Sequence, residues 1–255
     1  MTDLATTAAA RTTSAHTWQP PNGIAPRGTL VVLPGRGEHG LVYERLGRRL
    51  AVDGYVVHAL DTTVGDALED VLAAAVTAVG PDATTPVVLV GSDTGALQAL
   101  HLAAGADPRL PLAGIIAAGT ATTSPTPSGP ADWDTELGAR TACPTHRQKL
   151  TDDADFERGQ LSAPVPEHLL PDARPDLPAL ILHGAADPLT PLDRARALAE
   201  RLPRAAFGVL HEGLHDVLND ASHRTTAAHI ILWLERLRTD ADLRPILTLD
   251  REPKA

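Results

Sequence analysis

The sequence of 255 residues has a single cysteine, an excess of acidic over basic residues and no long apolar run. Cys143, the single cysteine, excludes an internal disulfide framework and suits a reducing compartment, so we expect a cytoplasmic protein. The first 17 residues lack the apolar core of a secretory signal, and no segment approaches the ~20 apolar residues of a membrane helix. A formal net charge of −10 disfavours nucleic acid and anionic membranes as partners. We therefore expect a small-molecule substrate, and the composition leaves the oligomeric state open.

Apolar runs of strand length alternate with segments of helical periodicity over most of the chain. The predicted strands cover residues 29–33, 55–60, 87–90, 112–118, 179–184 and 206–210. The predicted helices cover residues 41–52, 66–79, 94–102, 192–202 and 222–237, and Asp66 is the expected cap of the second. Alternation of this kind requires a mostly parallel sheet with helices on both faces, which is an α/β fold.

Composition divides the chain into a core, two tails and one insertion. The alternating pattern occupies residues 17–120 and 176–238, which form the predicted core. Residues 1–16 are expected to be a disordered N-terminal tail, and residues 239–255 a C-terminal tail. Residues 121–175 are rich in proline, serine, threonine and aspartate and contain no long apolar strand. We expect this insertion to lie over the carboxyl end of the sheet as a small cap.

The sequence Gly91-Ser92-Asp93-Thr94-Gly95 stands between a predicted buried strand and a predicted helix. It has the frame of a nucleophile elbow, glycine-x-nucleophile-x-glycine, in which a tight turn crowds the backbone against the apex residue. The apex is Asp93, where most such elbows carry serine. Ser92 is a weaker candidate for the nucleophile, because its side chain is expected to point into the packing beside the sheet.

Two more residues complete a possible catalytic group. Asp187 follows the strand at 179–184, and His215 follows the last predicted strand. The chain order is therefore nucleophile, acid, base, in which the acid orients the imidazole and stabilises its charged form. In the loop after the first strand, glycines would let the backbone N–H of Arg36 point toward the elbow. With the N–H of Thr94 it would form an oxyanion hole.

Three segments resemble one branch of a known superfamily. They are LPGRGEHGLVYERLGRRLAVDGYVVHALD, ILHGAADPLTP and LHEGLHDVLND. They are similar to the monoacylglycerol-lipase-like, or serine-aminopeptidase-like, branch of the α/β-hydrolases, over roughly residues 28–105 and 178–238. The resemblance implies an α/β-hydrolase fold and functional roles at five positions: Asp93, Asp187, His215, Arg36 and Thr94. Pro34 stands where that branch has its first motif histidine, and Asp93 where it has the nucleophilic serine.

An aspartate at the elbow changes the available chemistry. A carboxylate that attacked an ester would form a mixed anhydride, which is an uphill step. Attack on a saturated carbon bearing a halide or an epoxide oxygen gives an ordinary ester, which His215 and water could hydrolyse. We therefore expect a hydrolase for a small, largely apolar substrate. Dehalogenases and epoxide hydrolases of this fold have helper residues that this sequence lacks. The residue after the elbow is Thr94, and the insertion contains no tyrosine.

Other functions stay open at this point. Asp93 could act as a general base in a lyase, cyclase or isomerase, or the site could bind a small molecule without turnover. The expected substrate-binding residues, in the insertion, are Trp133, His146 and Arg147.

No cofactor or metal is expected. The motif HEGLH at 211–215 matches a zinc-protease pattern, but it follows a strand and contains glycine, whereas that pattern requires a helix. The motif GRGEHG at 35–40 matches a dinucleotide fingerprint, which is a rival interpretation that leaves the elbow unexplained.

Overall fold

The computed structural model describes residues 14–121, 132–170 and 173–248. In these ranges one seven-stranded sheet has the strand order β1-β3-β2-β4-β5-β6-β7. The strands are β1 (Ala15–Trp18), β2 (Gly28–Leu33), β3 (Tyr55–Leu60), β4 (Val87–Ser92), β5 (Leu112–Ala118), β6 (Ala179–Gly184) and β7 (Ala205–Leu210). Strand β1 pairs antiparallel with β3, and all the other pairings are parallel. The expected α/β architecture with a mostly parallel sheet is confirmed.

Helices cover both faces of the sheet because the central strands are apolar on both faces. The helices are α1 (Glu44–Val52), α2 (Leu68–Val79), α3 (Asp93–Gly105), α4 (Trp133–Arg140), α5 (Pro144–Asp152), α6 (Leu192–Arg201) and α7 (His223–Thr239). Along β2, Leu30 and Val32 pack into a core with α1 and α7, whereas Val31 and Leu33 pack into a second core with α2 and α3. This alternation follows from the two-residue period of a strand. None of the helices in the described ranges has the length and apolar character needed to span a bilayer.

Several predicted boundaries are corrected. The sequence predicts a disordered N-terminal tail up to residue 16, but Ala15–Trp18 forms the edge strand β1. Residues 1–13 lie outside the described ranges. Asp66 does not cap α2, which begins at Leu68; its carboxylate instead accepts a hydrogen bond of 2.7 Å from the Thr63 backbone. The helix predicted from residue 41 begins as a 3-10 turn, Gly40–Tyr43, before α1.

The described part of the insertion contacts loops at the carboxyl edge of the sheet. Its helices α4 and α5 are followed by short 3-10 turns, Gln160–Ser162 and Glu167–Leu169. The Glu157 backbone N–H donates to the Gly37 carbonyl at 2.9 Å, in the loop after β2. That the insertion acts as a cap over a substrate remains a prediction.

At the C-terminus, α7 runs two residues further than predicted, to Thr239. The Arg236 guanidinium then donates to the Leu243 carbonyl, which holds the start of the predicted tail against α7. Residues 249–255 of that tail lie outside the described ranges.

Candidate active site

The candidate site lies where four strands of the sheet end. Asp93 follows β4, Arg36 lies in the loop after β2, Asp187 follows β6 and His215 follows β7. Because these strands are parallel, their carboxyl ends share one edge of the sheet, which is where ligands bind in open α/β folds. The topology therefore brings together side chains separated by up to 179 residues of sequence, taking Arg36 and His215 as the extremes.

Asp93 occupies the apex of a tight strand-to-helix turn. Its φ is +50°, in the left-handed region that side chains with a Cβ rarely adopt. The turn is possible because its flanks are glycines. A Cβ at Gly91 would lie 2.3 Å from the Gly95 carbonyl oxygen, and a Cβ at Gly95 would lie 2.2 Å from the Leu33 carbonyl oxygen. The elbow frame predicted from the sequence therefore has the backbone geometry of a nucleophile elbow.

The Asp93 carboxylate is bound on two edges by one residue, Arg36. Its Oδ2 accepts the Arg36 backbone N–H at 3.0 Å and the Arg36 Nε–H at 2.8 Å. Its Oδ1 accepts from Arg36 Nη2 at 2.9 Å. The guanidinium is held in turn by the carbonyls of Leu161 at 3.3 Å and Ala163 at 2.6 Å, both in the insertion. A bidentate arginine–carboxylate pair with a third backbone donor fixes the direction of both oxygens.

His215 lies between two carboxylates. Its Nδ1 is 2.8 Å from Asp187 Oδ2, and its Nε2 is 3.3 Å from Asp93 Oδ1. The second contact is an ion pair whose geometry falls short of a hydrogen bond. The other Asp187 oxygen accepts the backbone N–H groups of Leu189 at 2.8 Å and Thr190 at 3.2 Å, which orient the carboxylate. The structure thus brings the three predicted catalytic side chains into one chain of contacts.

Burial and charge together decide which of these groups are ionised. Asp93 and His215 are each 1% exposed. Burial alone would raise the pKa of Asp93, but the charge of Arg36 and the contact with His215 hold it well below its ordinary value. Burial alone would lower the pKa of His215, but the charge and hydrogen bond of Asp187, with Asp93 behind them, raise it to about 10. At neutral pH, two carboxylates therefore face two cations.

The predicted oxyanion donors have different positions in the structure. The Arg36 N–H points at the elbow as expected, and there it binds Asp93 itself. Thr94 is the second residue of α3, buried beside the apex, and its donor role stays a prediction. The Arg36 side chain is a functional candidate that sequence reasoning missed, because only the backbone of this residue was expected to act. An arginine in the first glycine loop, opposite an acidic elbow, was the available signal.

The three residues predicted to bind substrate have different surroundings in the structure. Trp133 packs against Phe156, with ring centroids 5.5 Å apart, and the Arg158 guanidinium lies over the Trp133 ring. His146 is 3% exposed, and its Nε2 lies 3.5 Å from Asp216. Arg147 is half-buried on α5. Within the described ranges, no hydrogen bond or ion pair joins any of the three to Asp93 or His215, so their role in binding remains a prediction.

A second buried cluster of charges lies behind the site. Arg140 is fully buried and faces three carboxylates, those of Glu38, Glu136 and Asp216. Burial and the charge of Asp216 raise the pKa of Glu38 to about 7. Atoms of Glu38, His146 and Asp216 lie within 4.8 Å of one another, a spacing that a metal ion could bridge. The Arg140 guanidinium already supplies positive charge there, 3.5 Å from Asp216 and 3.9 Å from Glu38, which disfavours a metal cation.

The observed contacts disfavour three alternatives: Ser92 as the nucleophile, a zinc site at HEGLH and a dinucleotide site at GRGEHG. Ser92 is the last residue of β4, is buried, and has an electrostatic contact with the Tyr43 hydroxyl. His211 lies in an exposed turn, so the two histidines of HEGLH share no helix. The N–H groups that a pyrophosphate would need are used internally, since Gly35 donates to Glu38 at 2.8 Å and Arg36 donates to Asp93. A bound dinucleotide would have to displace these contacts.

Comparisons with known proteins agree with this architecture. A model described as the alpha/beta hydrolase family matches residues 30–230. The chain is similar to the crystal structure of a monoacylglycerol lipase from Paleococcus ferrophilus, with 18% identity, a TM-score of 0.68 and coverage of 87% of this chain and 98% of that chain. A soluble variant of monoglyceride lipase from Saccharomyces cerevisiae has 16% identity, a TM-score of 0.68 and coverage of 88% and 92%. A thermostable carboxyl esterase from Bacillus coagulans has 18% identity, a TM-score of 0.66 and coverage of 89% and 94%. No curated protein sequence matches the chain.

Proposed function

Because the chain belongs to the alpha/beta hydrolase family, we propose that it is a hydrolase that acts on a small, largely apolar alkyl electrophile through an ester formed on Asp93. In the first step, Oδ1 of Asp93 forms a bond to a saturated carbon, and the leaving group departs with the electron pair of its bond. In the second step, water attacks the carbonyl carbon of this ester. His215, then neutral, takes one proton from that water and gives it to the departing alkoxide, which leaves as the alcohol. The second proton of the water stays on the new Asp93 carboxyl group and then passes to His215, so that both groups regain their charges.

The observation that carries the proposal is the different setting of the two Asp93 oxygens. Oδ2 rests on the backbone N–H of Arg36, which is the predicted oxyanion donor. Oδ1 faces Nε2 of His215 at 3.3 Å. A carboxylate nucleophile needs this division, because one oxygen must attack while the other receives the negative charge of the later tetrahedral intermediate.

The Arg36 side chain would strengthen the second step. Its Nε–H lies 2.8 Å from Oδ2, so a full positive charge stands where the oxyanion develops. The contact between Arg36 Nη2 and Oδ1, at 2.9 Å, has to break before Oδ1 can attack. Because Arg36 Nη1 is held by the Ala163 carbonyl, we expect this release to accompany a movement of the insertion.

His215 changes its role between the two steps. In the free protein its pKa of about 10 keeps it protonated, so it cannot act as a base. Alkylation of Asp93 removes one of the two negative charges that raise this pKa. The imidazole can then lose its proton and activate water. The lowered pKa of Asp93 also disfavours the alternative in which Asp93 is itself a general base.

A second candidate function is a binding protein without turnover. It is favoured by the number of donors on Asp93, which receives three hydrogen bonds from Arg36 and an ion pair from His215. A carboxylate so fully engaged is a weak nucleophile. In this alternative the insertion would enclose a ligand and the elbow would serve only structure.

Isotope incorporation separates the two functions. The protein is incubated in H₂¹⁸O with a panel of short alkyl halides and terminal epoxides, and the peptide containing Asp93 is analysed by mass spectrometry. Hydrolysis through an aspartyl ester exchanges one ¹⁶O for ¹⁸O in Asp93, because water attacks the enzyme carbonyl. Asp93→Asn should abolish turnover, whereas Asp193→Asn, at an exposed aspartate on α6, should not. Turnover with the label only in the product would refute the covalent route.

A further inference from the structure

One fully buried side chain of the insertion, Arg140, the last residue of α4, contacts the backbone of the loop that carries Arg36. Its Nη2 donates to the Arg36 carbonyl at 2.7 Å, across 104 residues of sequence. The same guanidinium donates to Glu136 Oε1 at 2.9 and 3.2 Å, so its direction is fixed from within its own helix. Its Cζ lies over the Phe156 ring, 4.9 Å from the ring centre. Arg140 therefore holds the backbone of the residue that binds Asp93.

The end of α4 also holds the histidine loop. The His215 backbone N–H donates to the Ala139 carbonyl at 3.2 Å, and the Asp216 backbone N–H donates to the Arg140 carbonyl at 2.8 Å. The last carbonyls of a helix have no partner within the helix, so they must be satisfied from outside. Here their partners are His215 and the residue after it. One helix end thus contacts both loops that face Asp93.

Stability alone is a weak reason to bury this charge. Arg140 is 0% exposed, and its Nη1 lies 3.5 Å from Asp216 Oδ1 and 3.9 Å from Glu38 Oε1, both longer than hydrogen bonds. Nη1 has no hydrogen-bond partner within the described residues. Replacing a whole buried ionic cluster by apolar groups of similar volume is often neutral or stabilising, since it removes the desolvation cost of every charge in the cluster. What an apolar side chain could not do is donate to the Arg36 carbonyl.

We infer that Arg140 is a positioning residue, which sets the distance between the Arg36 loop and the His215 loop and so aligns the Asp93 carboxylate with the imidazole. It touches neither a substrate nor the reacting atoms. The effect of Arg140 on catalysis rests on the proposed function. The alignment of Asp93 with His215 can be measured without any substrate.

The test compares Arg140→Met and Arg140→Lys with Arg158→Met, a control in the insertion whose exposed guanidinium lies over Trp133. The substrate-free readout is the titration midpoint of His215, followed by NMR of ¹⁵N-labelled histidine and assigned with His215→Gln. The charged or titratable groups that face this ring are Asp93, Asp187, His183 and, beside it in sequence, Asp216. Loss of the Arg140 charge alone would raise the midpoint, since Asp216 would lose its counter-ion. Loss of alignment would move His215 away from Asp93 and lower the midpoint. Loss of charge and loss of alignment therefore shift the His215 midpoint in opposite directions.

We expect a lower His215 midpoint in Arg140→Met, partial recovery in Arg140→Lys and no change in Arg158→Met. With a substrate, we expect kcat to fall on the order of 10- to 100-fold in Arg140→Met with little change in KM. A folded Arg140→Met protein whose His215 titrates as in the wild type, or at higher pH, would overturn the inference. If Arg140→Met does not fold, Arg140→Lys decides, because the charge is retained while the contact with Arg36 is altered. A wild type that turns over none of the probes would refute the proposed function and leave the NMR comparison valid.

Discussion

Arg36 binds the same oxygen of Asp93 with both its backbone and its side chain. The backbone N–H lies 3.0 Å and the Nε–H 2.8 Å from Oδ2, and 57 residues of sequence separate the two partners. Both side chains are buried, with exposed side-chain fractions of 8% for Arg36 and 2% for Asp93. Neither charge is therefore solvated by water, and each depends on the other. Replacing one of the two residues should therefore reveal how much the pair contributes to the stability of the fold.

Arg36→Met should destabilise the protein by about 3–5 kcal/mol, because it leaves the Asp93 carboxylate buried without its main counter-charge. The double variant Arg36→Met/Asp93→Leu should recover most of that loss, since neither charge remains buried alone. The measurement is urea unfolding followed by circular dichroism. Arg27→Met is the surface control: its partner is Glu235, its side chain is 38% exposed, and we expect a loss of about 0–1 kcal/mol. Equal losses in the two single variants would contradict the assignment of a buried pair.

The folded protein should become less stable as the solution becomes alkaline, because His215 loses a stabilising charge. Its pKa is raised to about 10 in the folded protein, compared with 6.5 for a free imidazole. The stabilisation is therefore complete below about pH 6.5 and is lost as the pH rises toward 10. The free energy of unfolding, measured across this interval, should decline in the wild type and be much flatter in His215→Gln. A His215 resonance that titrated between pH 5 and 8 would show that the imidazole loses its proton in the ordinary range, and would contradict this prediction.

Asp93→Ser should create a weak esterase. The substitution places a hydroxyl at the elbow and removes one of the two carboxylates beside His215, which lowers the pKa of the imidazole toward that of a useful base. The Arg36 N–H, no longer occupied by Asp93, would be free to bind an acyl oxyanion. Release of nitrophenol from short nitrophenyl esters provides the measurement. The matched variant Asp93→Ser/His215→Gln should be inactive, and equal rates in the two proteins would argue against an intact catalytic geometry.

Gly95→Ala should be strongly destabilising, since a Cβ there would lie 2.2 Å from the Leu33 carbonyl and 2.4 Å from the Pro34 carbonyl. Backbone cannot yield as the end of a flexible side chain can, so we expect a loss of about 3 kcal/mol or more, at the upper end of single substitutions. Gly105→Ala is the control at the other end of α3, where no atom lies within 4 Å of the added methyl group. It should be neutral or stabilise by up to about 1 kcal/mol. Thermal unfolding of the two variants makes the comparison, and similar midpoints would refute the tight approach of α3 to β2.

The sequence pattern is sufficient to predict the α/β fold and the place of each predicted catalytic residue. The parallel strands contain short continuous apolar runs, such as residues 87–90 in β4, because both faces of the sheet are covered, and such runs are visible without coordinates. Asp93, Asp187 and His215 each follow a strand, so the shared carboxyl edge of a parallel sheet brings them together by topology alone.

Side-chain partners across long separations are decided only in the folded protein. An arginine in the first glycine loop and an acidic elbow make a pair between them conceivable, but the local sequence does not fix the direction of the Arg36 guanidinium. It also does not indicate that Arg140 reaches the Arg36 carbonyl from a helix of the insertion. The edge strand at Ala15–Trp18 was missed for a related reason, because a short, half-exposed strand is specified mainly by the open edge of β3 that it pairs with. Backbone periodicity is a local property and can be recognised in sequence, whereas the pairing of buried charges depends on which loops meet at one edge of the sheet.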